Sequence, residues 1–331
     1  MNLVDAYIRY ITTVRRYSPR TQAVYRDVLE RFRAFATEDG SDAELLEALV
    51  PRMIRGYEVH LLDGGKTGAR TVHLHLSVLS GFCRYLLKEG KLASNPVKSV
   101  ARPKQERRLP VFYREDAMNA WLAETAADAG EDTLALLESY GPRSGWTPAA
   151  FELYRRRLHR CLLDTLYCTG IRRSELLSLT IGSVDFGRGV LKVRGKGDKM
   201  REIPLVASLC QEISLYLRAV ESMDGGRRTP DAPLFLTETG RALYPVYVDR
   251  VVKSELQDAR GFTGRKSPHV LRHTLATELL DGGTDLNAIK EMLGHASLAA
   301  TQVYTHSSVE RLKNVYVNAH PRAKSGGKHG D

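Results

Sequence analysis

Residues 184–205 read VDFGRGVLKVRGKGDKMREIPL, and the fold class turns on them. Val190-Leu191-Lys192-Val193 is a short, largely apolar run, Gly195 to Lys199 supply a Gly-Lys-Gly-Asp-Lys turn, and Arg201-Glu202-Ile203 lead back. Such runs, joined by glycine and aspartate, predict a short β-hairpin or meander. On either side the apolar residues recur at helical spacing instead. Helices are expected over about Arg114–Ala129 and Ala149–Cys168, and again from Leu205. The chain therefore reads as mainly α with a small antiparallel β-sheet.

Upstream of the hairpin, Cys168-Thr169-Gly170-Ile171-Arg172-Arg173-Ser174-Glu175-Leu176 ends one helix and opens another. Gly170 supplies the turn, and Ser174 and Glu175 favour the new N-terminus. An arginine beside helix-start N–H groups suits a phosphate. Further upstream, GEDTLALLESYGPRSGWTP (130–148) carries Gly-Pro and Ser-Gly punctuation and reads as an insertion.

The first hundred residues predict four helices in a small bundle with a basic surface. Leu3, Tyr7, Ile11 and Val14 mark the first. Ser18-Pro19 is an N-cap with a first-turn proline, opening a second helix with Val24, Val28, Leu29, Phe32 and Phe35 inward. A third follows Pro51. The fourth runs from about Thr67 to Lys88 with Val72, Leu76, Leu79, Phe82 and Leu86 inward, and stops at Gly90. SNPVKSVARPKQERRLP (94–110) then has three prolines and the cations Lys98, Arg102, Lys104, Arg107 and Arg108. The same residues would serve a solvated connector or a tether crossing a phosphate backbone. The expected division is a helical domain over 1–95, a basic linker over 96–110, a mixed domain over 111–320 and a disordered tail over 321–331.

Three hundred and thirty-one residues, 43% hydrophobic and 27% charged, exclude a mainly disordered chain or a disulfide-stapled miniature. The formal net charge is +10. Residues 1–104 hold 17 basic and 11 acidic residues, so this smaller part carries more than half of the surplus. That suits a polyanionic partner, though it also serves solubility. The four cysteines form no C-x-x-C pair and read as packing thiols. No uncharged apolar run approaches the ~18 residues that span a bilayer. Asp5 and Arg9 interrupt the first segment, so no signal peptide is expected, and a cytoplasmic chain follows.

Two common chemistries fail on spacing. Gly65-Lys66-Thr67 resembles the end of a phosphate-binding loop, but His60 stands where the opening glycine belongs. Gly195-Lys196 is followed by Gly197 instead of Ser or Thr, so no nucleotide loop is present. His269 and His273 have the spacing of a helical zinc pair, yet Val270 replaces the glutamate base. What remains is a dispersed set of cationic and imidazole residues, Arg172, Lys196 at the hairpin tip, His269 and Arg272 three apart on one helix and His295 after Gly294, with Tyr304 nine residues later.

In that order and spacing, the blocks TGIRRSELLSL, VRGKGDKMREIPL, SPHVLRHTLAT and LGHASLAATQVYTH resemble the tyrosine recombinase (phage integrase) family. The resemblance covers residues 160–310, and the N-terminal helices resemble the family's core-binding domain. It implies a DNA strand-transferase using a 3′-phosphotyrosyl intermediate, with no metal, cofactor or ATP. By this resemblance Arg172 and Arg272 would clamp the non-bridging oxygens of the scissile phosphate, a task suited to planar guanidinium donors. Tyr304 would be the nucleophile, His269 would accept its proton and His295 would hydrogen-bond the phosphate. Lys196 would protonate the departing 5′ oxygen, and Glu175 would orient an arginine. Tyr316 also follows the Gly-His block, but at too great a distance, on a later helix with an apolar face.

The resemblance further implies a C-shaped clamp on duplex DNA and a tetramer holding two DNA sites, with a C-terminal helix over 309–316 docking into a neighbouring protomer. Because the helical domain starts almost at Met1, no arm-binding domain is expected, which favours an Xer-like or small mobile-element enzyme. A DNA-binding protein without catalysis, and a type IB topoisomerase using the same chemistry without synapsis, are the rival readings.

Overall fold

The computed structural model describes residues 2–63, 67–104, 113, 115–195, 198–257, 264 and 266–294. The chain divides into two units, Met1–Arg108 and Leu109–Asp331.

The first unit is a bundle of α1 (Leu3–Thr13), α2 (Pro19–Ala36), α3 (Asp42–Ala48), α4 (Pro51–Leu62) and α5 (Ala69–Lys88). Ser18 Oγ accepts the Thr21 N–H and Pro19 occupies the first turn, so α2 starts where the sequence predicts. Val28, Leu29, Phe32, Leu76, Leu79 and Phe82 are buried together in its core. Each such side chain contributes roughly 1.5–3 kcal/mol on burial. Among the described residues the bundle has five α-helices where four are predicted. The addition, α3, is only seven residues long, too short for a clear period.

Part of the predicted linker belongs to this bundle. Pro96–Ser99 forms a 3₁₀ turn capped by Asn95, and Val97 and Val100 are buried in the core. Asn95 Nδ2 donates to Ser80 Oγ on α5 at 3.0 Å. Beyond the turn, His73 Nε2 lies 2.8 Å from Pro103 O and Arg102 Nη1 donates to Ser77 Oγ at 3.3 Å. An apolar pair and side-chain bonds thus hold residues 96–103 on α5. Arg107 and Arg108 lie outside the described residues.

The second unit combines helices with a three-stranded antiparallel meander: β1 (Val184–Asp185), β2 (Val190–Arg194) and β3 (Met200–Pro204). Val193 pairs with Arg201 and Leu191 with Ile203, so β3 turns Arg201 and Ile203 to the buried side. The helices are α6 (Glu115–Glu124), α7 (Glu131–Ser139), α8 (Pro148–Thr169), α9 (Arg173–Leu177), α10 (Ala207–Asp224), α11 (Pro245–Glu255), α12 (Pro268–Asp281) and α13 (Leu286–Leu293). The predicted fold class, mainly α with a small antiparallel sheet, holds.

The stretch read as an insertion is part of the core. It contains α7, whose Leu134 and Leu137 are fully buried, and Trp146, whose Nε1 donates to Gly141 O at 2.8 Å. Buried Arg157 of α8 donates to Ala129 O and Gly130 O at its start. Cys161 and Cys168 are buried on α8 within the same core, and Cys168 Sγ donates to Asp164 Oδ1 at 3.3 Å. Among the described residues, no helix is long and apolar enough to cross a membrane.

Candidate active site

The site assembles where α8 ends. Gly170 caps α8 in the left-handed conformation, at φ +59°. A Cβ there would lie 2.7 Å from a methyl of Leu293 and 2.9 Å from one of Leu275, so conformation and packing both require glycine. The turn delivers Arg172 to the start of α9. The Arg172 N–H, which the sequence offers to a phosphate, is donated instead to Glu175 Oε2 at 2.8 Å.

Glu175 is the hub. Its buried carboxylate accepts Arg172 Nη1 at 2.8 Å, Arg201 Nη1 at 3.0 Å and Arg201 Nη2 at 2.8 Å. Burial works to raise its pKa, but the bonds from Arg201 and Arg172 outweigh burial and hold it below the usual glutamate value. The carboxylate is therefore ionised at neutral pH.

The C-terminal end of α13 gathers the arginines. Three successive carbonyls each accept from a different one: Met292 O from Arg201 Nε at 2.9 Å, Leu293 O from Arg272 Nη2 at 2.6 Å, and Gly294 O from Arg172 Nη2 at 2.9 Å. The last carbonyls of a helix lack intrahelical donors and carry the negative end of its dipole, so cations satisfy them twice over. Arg272 also donates Nη1 to Gly170 O at 2.8 Å. Burial and then the neighbouring Arg172 push its pKa down to about 10, which leaves it charged at pH 7.

His269 is exposed on the first turn of α12, one turn before Arg272. Desolvation, then Arg272, His273, Arg173 and Arg172, lower its pKa. The imidazole is thus neutral near pH 7 and able to take up a proton. Of the predicted set, Arg172, Glu175, His269 and Arg272 are described; Arg172 bonds Glu175 directly and meets Arg272 at the end of α13. Lys196, His295 and Tyr304 lie outside the described residues, as do 309–316 and the tail 321–331. Gly195 N donates to Lys199 O at 2.8 Å, closing the base of the hairpin that carries Lys196.

Arg201 is the residue the sequence reading missed. The signal was the strand period: Ile203 marks the apolar face of β3, and Arg201 stands two residues before it. A cation on that face needs a buried partner.

Three guanidinium groups against one carboxylate leave a positive surplus, and the side chain of Arg172 is 30% exposed. Such an arrangement can hold an oxyanion and stabilise charge that grows on it. The fold and site thus define a protein with a helical bundle and a mixed domain that gathers a cluster of arginines. The comparisons narrow the class. The phage integrase family matches over residues 154–311, and the phage integrase N-terminal SAM-like domain over 4–90. Tyrosine recombinase XerC of Pelobacter propionicus is 37% identical over 325 residues, covering 98% of this chain and 97% of that protein. Its namesake in Chlorobaculum parvum is 34% identical, with 97% and 94% covered.

Solved structures share the fold. The Tn1549 transposon integrase in complex with transposon right end DNA superposes with a TM-score of 0.64 at 18% identity, covering 98% of both chains. The XerH site-specific recombinase in its post-cleavage complex with palindromic difH substrate gives 0.63 at 20%, covering 98% of this chain and 83% of that one. This chain belongs to the phage integrase family, the tyrosine recombinases, and it is Xer-like.

Proposed function

We propose that the chain is a site-specific recombinase that cuts and rejoins duplex DNA through a 3′-phosphotyrosyl intermediate. The observation that carries this is the convergence of Arg172 and Arg272 on adjacent carbonyls, Leu293 and Gly294, at the residue before His295. Two planar cations held side by side match the two non-bridging oxygens of one phosphodiester. In the proposed step Tyr304 Oη attacks phosphorus while its proton passes to His269. The bond to the 5′ oxygen breaks, and Lys196 protonates that oxygen as it leaves. His295 hydrogen-bonds the phosphate. The phosphotyrosyl ester conserves the bond energy, so resealing by the 5′ hydroxyl needs neither nucleotide nor metal.

A protein of this kind meets DNA along its backbone. On the first unit, Arg70, His73 and Arg102 line an open depression of about 520 Å³ with Thr71, Leu74 and Ser77. Lys98, Arg102 and Lys104 are exposed beside α5. We assign these cations, with Arg107 and Arg108, to phosphate contacts. Replacing Lys98, Arg102, Lys104, Arg107 and Arg108 by Gln should flatten the dependence of log affinity on log salt, by about 0.9 for each phosphate that is no longer neutralised. An unchanged slope would make the segment a spacer.

Assembly as a tetramer on two DNA sites, with residues 309–316 docked in trans, belongs to the same proposal, as does a cytoplasmic location. Two-site substrates test the whole. Recombinant junctions are expected. Relaxation of supercoils without junctions would instead indicate a topoisomerase, and binding without any strand cleavage an architectural protein.

A further inference from the structure

Arg201 does more than neutralise a buried glutamate. Its Nη1 and Nη2 meet the two oxygens of Glu175, and its Nε meets Met292 O. One guanidinium thereby ties β3 to the start of α9 and the end of α13. Two glycines make room for it. A Cβ on Gly195 would lie 3.3 Å from its Nη1, and one on Gly294, at φ +68°, 3.2 Å from its Cζ. The group sits between the hairpin that carries Lys196 and the residue that precedes His295.

Resting on the recombinase reading, we infer that Arg201 is a positioning residue that sets Glu175 and the end of α13 so that Arg172 and Arg272 present to one phosphate. The shared atom is Glu175 Oε1, which accepts from both Arg172 Nη1 and Arg201 Nη1. Arg172 is therefore seated by a carboxylate whose plane Arg201 fixes. Stability alone does not account for the arrangement, because a buried ion pair is often no better than well-packed apolar residues. What a guanidinium adds is direction: its planar donors fit one carboxylate orientation.

The consequence is a dependence on pH that wild type lacks. Glu175 faces Arg172 from its own turn, Arg201 from β3 and Arg272 from α12, while the main-chain carbonyls at the end of α13 accept from those same three arginines. Without Arg201, burial outweighs the remaining charge, and the carboxyl takes up a proton as pH falls. A protonated Glu175 no longer aligns Arg172. The ratio of variant to wild-type rate should therefore drop at low pH and recover at high pH, and in this ratio the titration of His269 cancels.

The test is single-turnover formation of the protein–DNA adduct on a nicked duplex from pH 5.5 to 8, alongside DNA affinity and circular dichroism. Arg201→Met should bind DNA like wild type but form adduct slowly at the acid end, on the order of 10²-fold below wild type, the scale of a misplaced catalytic group. Arg201→Met combined with Glu175→Gln removes the titrating group, and its ratio should be flat. A ratio for Arg201→Met that does not vary with pH overturns the inference. Should Arg201→Met fail to fold, Arg201→Lys decides: it keeps the charge but cannot serve Glu175 and Met292 together, so slower adduct formation at unchanged affinity is expected. A wild-type rate in Arg201→Lys would then overturn the inference. Absence of adduct from the wild type itself would instead defeat the recombinase reading.

Discussion

On a duplex nicked near its cleavage position, the wild-type chain should accumulate a covalent adduct through the 3′ phosphate, and Tyr304→Phe should abolish it. The nick lets the short 5′ fragment diffuse away, so the phosphotyrosyl ester cannot be reversed. Phenylalanine removes only the attacking oxygen and leaves the ring, so DNA affinity should stay close to that of wild type. Lys196→Ala should bind normally and cleave slowly, because general acids typically contribute ~10²–10⁴-fold. A bridging 5′ sulfur leaves without a proton and should restore much of that rate. Rescue of Lys196→Ala, but not of Arg172→Ala, would separate proton donation from charge stabilisation. Adduct persisting in Tyr304→Phe would refute the nucleophile, and failure of the sulfur substrate would remove the role given to Lys196.

The second large effect is expected at Arg272. The residue is 7% exposed, and its guanidinium donates to Gly170 O and Leu293 O. Arg272→Ala strands two buried carbonyls, at about 1–3 kcal/mol each, and removes a cation from the phosphate site. Loss of one preorganised charge-stabilising donor typically costs ~10²–10³-fold in rate. The control is Leu279→Ala on the same helix, a buried leucine whose truncation costs roughly 2–5 kcal/mol. Both variants should melt at lower temperature. At a temperature where both remain folded, Leu279→Ala should cleave close to the wild-type rate while Arg272→Ala should not. Equal loss in the two would reduce Arg272 to a structural staple.

Local rules explain most of what could be read in advance. Ser18-Pro19 announces α2 because a hydroxyl acceptor and a preset φ are properties of neighbouring residues. The Gly-rich turn announces the β2–β3 hairpin for the same reason. Even α3 had its signature: Ser41-Asp42-Ala43-Glu44 is a capping pattern, and Ser41 Oγ accepts the Glu44 N–H at 3.2 Å. Its shortness hid it. The 130–148 stretch was harder, because turn residues outweigh the pattern of a nine-residue helix whose burial depends on α8 and α10. In the linker, two valines three apart gave no period at all, and only the core of the bundle shows why they are buried.

The catalytic blocks were legible as words in order, which is enough for the family, the fold class and the residues put forward for chemistry. Their assembly was not. Leu293 O and Gly294 O accept from arginines 21 and 122 residues distant in sequence, and Met292 O from one 91 residues away. Sequence by itself determined which groups are present and the local geometry each one starts from. The tertiary structure alone decided that Glu175 joins two arginines, that the end of α13 gathers three, and that Arg201 is among them. The physical reason is that a buried charge is placed by partners from remote segments, and no local spacing encodes who those partners are.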